Sequence, residues 1–387
     1  MKIAAFNVEN LFDRPKAFNE SDPTVTQSTI KAVAELNSIF EEEEYEPQHK
    51  TRIVELVEQL KLNRFDEGPL ALIRKIRGSL LRRPKGGGIE VVAEGKAAWI
   101  GWAELKTAPV DEIAVLNTGR VIRDVDADVL AVVEAENRVL LKTFGQYVVD
   151  RVNSELPCEQ RKKPYTSTML IEGNDDRGID VGLMTKEGFD IEDMRSHVHD
   201  LDDTREPIYS RDCPEYAVTT PTGESVWVLP NHFKSKFGGN DPDSIAKREA
   251  QATRTAEIYQ RLRDTGHDSV VVLGDFNDTP VSAPLQPLLN GSDLRDVSEH
   301  PNFVVGEFNV PPSNESRGIG TFDLGNDNDK IDYILLSPAL FGRVTSAGLF
   351  RKGAWPGSRP QRWKVYDQLT EEVHAASDHH VIWVNID

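Results

Sequence analysis

The feature that most constrains this chain is an apolar run that ends abruptly at Gly274-Asp275-Phe276-Asn277. Residues 270–273 are Val-Val-Val-Leu, a composition typical of a strand that is buried on both faces. Side chains alternate across a strand, so Asp275 and Asn277 should lie on one side. A carboxylate beside an amide suits a divalent cation or a phosphate oxygen. A simple turn after the strand explains these residues equally well, because Gly, Asp and Asn are common in turns.

Other predicted strands also begin or end in polar side chains. In chain order, these polar residues are Asn7, Glu134, His232, Asp332 and the pair Asp378-His379. A single polar strand end carries little information. Amide, carboxylate and imidazole groups at six strand ends together indicate a metal-assisted active site.

This set of residues, in this order, resembles the endonuclease/exonuclease/phosphatase superfamily, which includes deoxyribonuclease I, repair nucleases, neutral sphingomyelinases and inositol-polyphosphate 5-phosphatases. The motifs that carry the resemblance lie at 274–277 (GDFN), 330–337 (KIDYILLS) and 377–380 (SDHH). The resemblance covers residues 1–13 and 125–387. It implies an α/β (α+β) fold, a four-layer α/β/β/α sandwich of two packed, mostly antiparallel sheets. The alternation of predicted strands and helices indicates the same architecture.

The resemblance also implies a metal site. Glu134 would hold Mg²⁺ or Mn²⁺, with Asn7 and Asp378 as further ligands. Glu136 lies two residues on and faces the same side of a strand, so it is the competing ligand. Such an oxygen-rich set suits a hard cation better than zinc.

The catalytic roles follow from the same resemblance. His379 would be the base or would orient the attacking water, and Asp275 would align or deprotonate that water. Asn277 would contact the phosphate. His232 would protonate the leaving group or hold the transition-state oxygen, and Asp332 would orient one of the histidines.

Several residues near these strand ends are candidates for substrate binding. Lys234 and Lys236 offer positive charges for flanking phosphates, although a solvated loop explains them nearly as well. Arg177 precedes a predicted strand beside the expected cleft. Asp180, at the start of that strand, is a possible partner of His232.

Residues 14–110 exceed what the resemblance requires between the first strand and the strand ending at Glu134. We interpret them as a helical and hairpin subdomain inserted into one domain that spans residues 1–387. The pattern predicts a helix with Ile30, Val33, Asn37 and Phe40 on one face, whose last turn runs into residues 41–44, and a second helix capped by Thr51.

The second half of the insertion contains further predicted elements. Residues 89–93 and 97–103 read as a β-hairpin with Gly95 in the turn. Segment 74–85 has six basic and no acidic residues, which makes it the candidate contact for nucleic acid. Leu70, Ile73, Ile76 and Leu80, which run through this region, instead fit a helix docked on the sandwich.

Composition limits the class of partner. The net charge of −19 argues against a protein that coats nucleic acid electrostatically, but a metal site can reverse the local charge. Two cysteines and no long apolar run favour a cytoplasmic protein without a membrane. The leading hypothesis is a metal-dependent phosphodiesterase, in particular a DNA endonuclease. A hydrolase of a small nucleotide, sugar-phosphate or lipid headgroup and a catalytically silent binding module are the alternatives, and the oligomeric state is not predicted.

Overall fold

Two units make up the chain in this computed structural model. The first comprises Met1–Phe12 together with Asp111–Asp387, and the second comprises Asp13–Val110. The structure describes residues 1–9, 16–19, 23–107, 111–175, 178–236, 241–310, 316–358 and 361–387.

The strands are numbered in chain order. They are β1 (Lys2–Asn7), β2 (Ala71–Arg77), β3 (Leu81–Arg82), β4 (Glu90–Val91), β5 (Ile100–Leu105), β6 (Val129–Ala135), β7 (Tyr165–Ile171), β8 (Asp180–Lys186), β9 (Asp190–Arg195), β10 (Glu215–Thr219), β11 (Ser225–His232), β12 (Val270–Asp275), β13 (Arg295–Asp296), β14 (Phe303–Val304), β15 (Asp332–Leu336), β16 (Val344–Phe350) and β17 (Val381–Ile386).

The helices alternate with these strands. They are α1 (Pro23–Phe40), α2 (Pro47–Gln59), α3 (Glu112–Val125), α4 (Arg138–Thr143), α5 (Asp150–Asn153), α6 (Pro242–Asp264), α7 (Gln286–Leu289) and α8 (Pro338–Phe341). A π-helical segment, Phe144–Val149, joins α4 to α5. The helical segment that begins after Asn137 therefore continues to Asn153.

Two sheets form the first unit. Across the described residues, one sheet has the strand order β14-β16-β17-β1-β6-β8-β7 and the other β13-β15-β12-β11-β10-β9. Three neighbouring pairs are parallel, namely β1 with β6, β11 with β12 and β14 with β16. The other neighbours are antiparallel, so the predicted mostly antiparallel sheets are confirmed.

The two sheets pack face to face. Ile3 and Ala131 of the first sheet share a buried cluster with Val228, Val271 and Ile334 of the second. Burying such side chains stabilises the fold by roughly 1.5–3 kcal/mol each relative to exposure in water. This cluster is the central core that the run at 270–273 predicted.

Helices cover the outer faces of both sheets. Val121 and Ile122 of α3 pack with Phe6 and Leu130 on the outside of the first sheet. On the outside of the second sheet, a separate cluster joins α6 to β11 and β12, and its members include Ile258, Leu262, Leu229 and Val272. The predicted four-layer α/β/β/α sandwich is therefore confirmed.

The second unit has its own core. Leu36 and Phe40 of α1 and Leu56 of α2 pack with Ile73 of β2 and Trp99. Within the unit, β2 pairs with β5 and β3 pairs with β4, both antiparallel. Helix α1 ends at Phe40, so the first predicted helix is present but stops before the four glutamates into which its last turn was predicted to run.

The predicted hairpin of residues 89–93 and 97–103 is wrong. Residues 90–91 pair with 81–82, and 100–105 pair with 71–77. Gly95 serves a different purpose, because a Cβ atom there would lie 2.0 Å from the backbone oxygen of Glu43. The glycine permits two segments of backbone to approach closely and does not reverse a hairpin.

Two other predictions for the insertion are also wrong. The second helix begins at Pro47 rather than after Thr51, whose hydroxyl donates to the backbone oxygen of Pro47 inside the helix. Residues 71–77 form a strand and not a helix, and Ile76 is 69% exposed. Helix α2 begins at Pro47 because proline fits the first turn of a helix. Residues 71–77 form a strand because they pair with β5.

The two cysteines, Cys158 and Cys213, are both free thiols, and the first is exposed whereas the second is buried. Among the described helices, none has the length and apolar character that would be needed to cross a bilayer.

Candidate active site

The topology brings the predicted polar strand ends to one edge of the sandwich. Parallel pairing of β1 with β6 places Asn7 opposite Val133, next to Glu134. Parallel pairing of β11 with β12 places His232 opposite Asp275. Asp275 also lies opposite Asp332 on the antiparallel strand β15.

Asp275 is the centre of the site. It is 1% exposed, and its Oδ2 atom accepts hydrogen bonds of 3.2 Å from the side-chain nitrogens of Asn7 and Asn277. The same oxygen lies 3.7 Å from Nε2 of His232 and 3.9 Å from Nε2 of His379. Burial, reinforced by the negative charge of Asp332, raises the pKa of Asp275 to about 7.

His379 is held by a second carboxylate. Its Nδ1 donates a 2.8 Å hydrogen bond to Oδ2 of Asp332, which leaves Nε2 directed toward Asp275. Burial by itself would lower the pKa of His379, but the charges of Asp332, Asp275 and Asp378 outweigh burial and hold this pKa well above its ordinary value. The imidazolium form is therefore favoured.

The ionisable groups form a continuous row. Glu134 Oε1 lies 3.7 Å from Nε2 of His232, which lies 3.7 Å from Asp275. On the other side of Asp275, Nε2 of His379 lies 3.8 Å from Oδ1 of Asp378. Two imidazoles thus flank one buried carboxylate, with a further carboxylate at each end of the row.

A β-bulge positions Glu134. The register between β6 and β8 shifts between Val133 and Ala135, and Glu134 has a φ of 66°. Bulges redirect side chains near active sites, and a non-glycine residue in this conformation costs of order 1–3 kcal/mol. Such strain is consistent with a functional role for Glu134.

Loops after β1 and before β17 are tied together. Asn7 accepts a 3.0 Å hydrogen bond from the backbone N–H of Glu9. The Ser377 hydroxyl donates to the backbone oxygen of Asn7, and the N–H of Asp378 donates to Oε2 of Glu9 at 3.3 Å. Glu9 therefore belongs to the site, although we did not predict it.

Asn277 is turned inward. Its side-chain nitrogen donates to Asp275 and, at 3.2 Å, to the backbone oxygen of Phe233. Beneath it, the rings of Phe233, Phe276 and Tyr333 stack with centroids 4.8 Å apart. In this arrangement Asn277 orients Asp275, in addition to any contact it makes with phosphate.

The predicted binding lysines differ in their surroundings. Lys236 forms an ion pair with Asp278, a buried carboxylate that Arg248 of α6 also contacts at 3.1 Å. Lys236 and Arg248 therefore share one carboxylate. Lys234 has a half-buried side chain, and its N–H donates to Gln251. Arg177, the other predicted substrate-binding residue of this region, lies outside the described residues.

Two further polar residues, Asp180 and His380, are held by hydrogen bonds with the surrounding protein. Asp180 accepts a 2.7 Å hydrogen bond from the N–H of Gly173. His380 accepts from Arg351 and donates to the backbone oxygen of Asp323. Burial holds the pKa of His380 well below its ordinary value, with the Arg351 charge acting in the same direction, so this imidazole is neutral.

The donor chemistry of the site fits a divalent cation. Glu134, Asp378 and Glu9 are carboxylates at the rim, and the Asn7 side chain supplies an amide oxygen. Near them lies Asp275, whose pKa is raised partly by the negative charge of Asp332 and Glu134. A bound cation would offset this excess of negative charge, and oxygen donors are those that Mg²⁺ and Mn²⁺ prefer.

Asp275, Asp332 and His379 form a second possible metal-binding group, with ligand atoms within 4.8 Å of one another. A metal there would require a neutral imidazole, whereas the surrounding carboxylates favour the protonated form. The Nδ1 of His379 is also engaged by Asp332. The rim carboxylates therefore fit a divalent cation better than this group does.

Solved structures match the chain at low identity. The Bacteroides thetaiotaomicron mannosyl-6-phosphatase Bt3783 is 15% identical, with a TM-score of 0.46 over 71% of this chain and 90% of that one. Truncated Caenorhabditis elegans TDP2 is 14% identical, with a TM-score of 0.44 over 70% of this chain and 88% of that one. The human Nocturnin catalytic domain is 13% identical, with a TM-score of 0.46 over 72% of this chain and 88% of that one. These likenesses are too distant to identify a substrate.

Sequence comparison is more specific. No curated protein matches the chain. The model of the Endonuclease/Exonuclease/phosphatase family matches residues 92–352, more than half of the chain. With the motifs and the sandwich already described, this match shows that the chain belongs to the endonuclease/exonuclease/phosphatase family of phosphoester hydrolases.

Proposed function

We propose that this protein is a divalent-metal-dependent phosphodiesterase that hydrolyses nucleic acid, most readily DNA. The row from Glu134 through His232, Asp275 and His379 to Asp378 is the observation that carries the proposal. The row brings a carboxylate base, two imidazoles and the rim carboxylates together at one edge of the sandwich. A silent binding module would have no need for this complete set.

The residues can be assigned to the steps of diester hydrolysis. Asp275 has a pKa near neutrality, so it can align the attacking water and accept its proton. His379, held cationic by Asp332, stabilises the negative charge on the phosphoryl oxygen. His232, between Glu134 and Asp275, donates a proton to the leaving oxygen.

Glu134 and Asp378, with Glu9 and Asn7, would hold the Mg²⁺ or Mn²⁺ ion. When bound, the cation supplies positive charge to the phosphoryl oxygens. The hydrogen bonds that join Asn7, Glu9 and Asp378 hold the two loops that carry these ligands. We also propose a cytoplasmic setting, supported by the two free thiols.

A small phosphate ester is the second candidate substrate. The net charge of −19 opposes non-specific association with a polyanion, and Lys236 is engaged in an ion pair with Asp278. A small substrate requires fewer cationic contacts outside the site. The two candidate substrates therefore differ in how strongly their binding should depend on basic residues outside the site.

The test compares substrates under one set of conditions. Purified full-length protein is incubated with supercoiled plasmid, single-stranded DNA, RNA, bis-p-nitrophenyl phosphate and p-nitrophenyl phosphate, each with Mg²⁺, Mn²⁺, Ca²⁺ or EDTA. We expect plasmid nicking and diester hydrolysis with Mg²⁺ or Mn²⁺ and no turnover in EDTA. Hydrolysis of the monoester alone would reject a phosphodiesterase, and full activity after exhaustive chelation would reject the metal.

A further inference from the structure

One face of the β2–β5 ribbon in the second unit carries exposed apolar side chains. Ile76 on β2 is 69% exposed, and Trp102 and Ile100 on β5 are 41% and 38% exposed. The opposite face carries Ile73 and Ala103, which belong to the buried core of the unit. Several large apolar side chains exposed on one face indicate a contact surface more strongly than isolated ones do.

The same ribbon is basic in an otherwise acidic chain. Segment 74–85 has six basic and no acidic residues, whereas the whole chain has a net charge of −19. Arg77 donates to the backbone oxygen of Ala97. Neither Arg77 nor Lys75 has an acidic partner in the described part of the chain.

The remaining arginines of this segment are already paired. Arg82 forms an ion pair with Glu90, and Arg83 forms one with Asp66 at 2.7 Å. Within the predicted contact segment 74–85, Arg77 is thus a ribbon cation that no acidic side chain of the described residues pairs with.

Trp102 and Arg74 lie opposite each other on the ribbon. Oε2 of Glu104 accepts a 2.9 Å hydrogen bond from the indole nitrogen, and Oε1 accepts one of 2.8 Å from Arg74. Glu104 thus holds a ring and a guanidinium side by side. An ion pair as exposed as this one contributes little stability, so an anion can compete for Arg74.

We propose that this Trp102 face binds single-stranded nucleic acid. A base would stack on the indole ring, and Arg74 and Arg77, which lie opposite Trp102 and Ile100, would contact phosphates, because a stacking ring beside cations is how proteins bind single strands without sequence preference. The proposal rests on the proposed function, since it adds a second contact for a polymeric substrate. In a duplex the base faces are covered, so single strands bind more tightly than duplexes.

The experiment measures binding without hydrolysis. Full-length protein in EDTA is titrated into a fluorescein-labelled oligodeoxythymidine of about 20 nucleotides, and anisotropy reports the affinity. Trp102→Ala should weaken binding about tenfold, whereas Trp102→Phe, which keeps a stacking ring, should retain most of the affinity. Arg77→Glu should reduce the dependence of log affinity on log salt by about 0.7 per lost phosphate contact.

Glu104→Gln is the most discriminating variant. The amide oxygen can still accept a hydrogen bond, but the negative charge beside the phosphates is removed, so binding should tighten. Tyr147→Ala is the matched control, because Tyr147 is 71% exposed but belongs to the first unit. It should leave the affinity unchanged, and all of these variants should hydrolyse bis-p-nitrophenyl phosphate at the wild-type rate.

Several results would overturn the inference. These are equal affinities of wild type and Trp102→Ala, equal affinities for duplex and single strand, or tighter binding to phosphatidylserine vesicles, which would assign the face to an anionic membrane. Weaker binding by Glu104→Gln would also contradict it. A wild-type protein that binds the oligonucleotide but hydrolyses neither it nor the diester with Mg²⁺ or Mn²⁺ would reject the proposed function instead.

Discussion

The two histidines that flank Asp275 are the side chains whose loss should affect the chemistry most directly. We expect His232→Ala and His379→Ala each to lower the rate of diester hydrolysis by at least about a hundredfold, the usual scale for a positioned acid–base group and for a group that stabilises transition-state charge. Single-turnover rates on bis-p-nitrophenyl phosphate measure this effect, and circular dichroism checks that the fold is retained. His374→Ala, outside the row, should keep the wild-type rate. Near-normal turnover by either active-site variant would make that histidine structural.

Asp180 should make stability depend on pH. Burial raises the pKa of this carboxyl from 3.8 to about 7, although the Gly173 N–H opposes the shift. Because the folded state binds the proton more tightly than the unfolded state, the free energy of unfolding should decrease as pH rises between these two values. Asp180→Asn keeps an acceptor for Gly173 but removes the charge. Its melting temperature relative to wild type should therefore be higher at about pH 8 than at about pH 4. A difference that does not change with pH would contradict this explanation.

The site residues that sequence could predict are those at the ends of apolar strands. Glu134, His232 and Asp275 follow runs whose burial is evident from composition, and the structure brings them into one row. Glu9 carries no such signal, because its place depends on a φ of 52° and a hydrogen bond from Asp378. Asp278, which pairs with Lys236, depends in turn on Arg248 of a distant helix.

At the scale of elements, a substitution at Gly95 tests the close approach of two backbone segments in the second unit. Its φ is 152°, and an added Cβ would lie 2.0 Å from the backbone oxygen of Glu43. We expect Gly95→Ala to destabilise the second unit by about 1–3 kcal/mol, the usual cost of overpacking. Gly86→Ala is the control, because a Cβ there would meet nothing within 4 Å. Chemical denaturation followed by tryptophan fluorescence measures both, and equal stability of the two variants would contradict the close approach.

Elements with strong local signals were predicted well, and those that depend on distant pairing were not. Strand β12 is apolar from Val270 to Leu273, so it appears where expected. In the insertion, β5 pairs with β2 across the intervening residues and not with its nearest apolar neighbour. Local turn residues cannot distinguish these pairings, because strand propensity depends on which neighbours a strand packs against.

For the whole molecule, the net charge of −19 and the carboxylates of the site have a common consequence. A divalent cation that binds only the folded protein should stabilise it, by about 2.7 kcal/mol when the free ion is at a hundred times its dissociation constant. Glu134, Asp378, Glu9 and Asn7 are the residues proposed to hold it. Thermal unfolding thus tests the metal site without reference to catalysis.

We expect Mg²⁺ or Mn²⁺ to raise the unfolding temperature of chelator-treated wild-type protein by several degrees. Glu134→Gln should greatly reduce this increase, because an amide is a much weaker ligand for a hard cation than a carboxylate. Glu136→Gln, two residues further along, is the matched control and should keep the full increase. The reverse result would make Glu136 the ligand. If neither ion changed the wild-type unfolding temperature, even at millimolar concentration, the excess of carboxylates around Asp275 would have to be balanced by bound protons rather than by a metal.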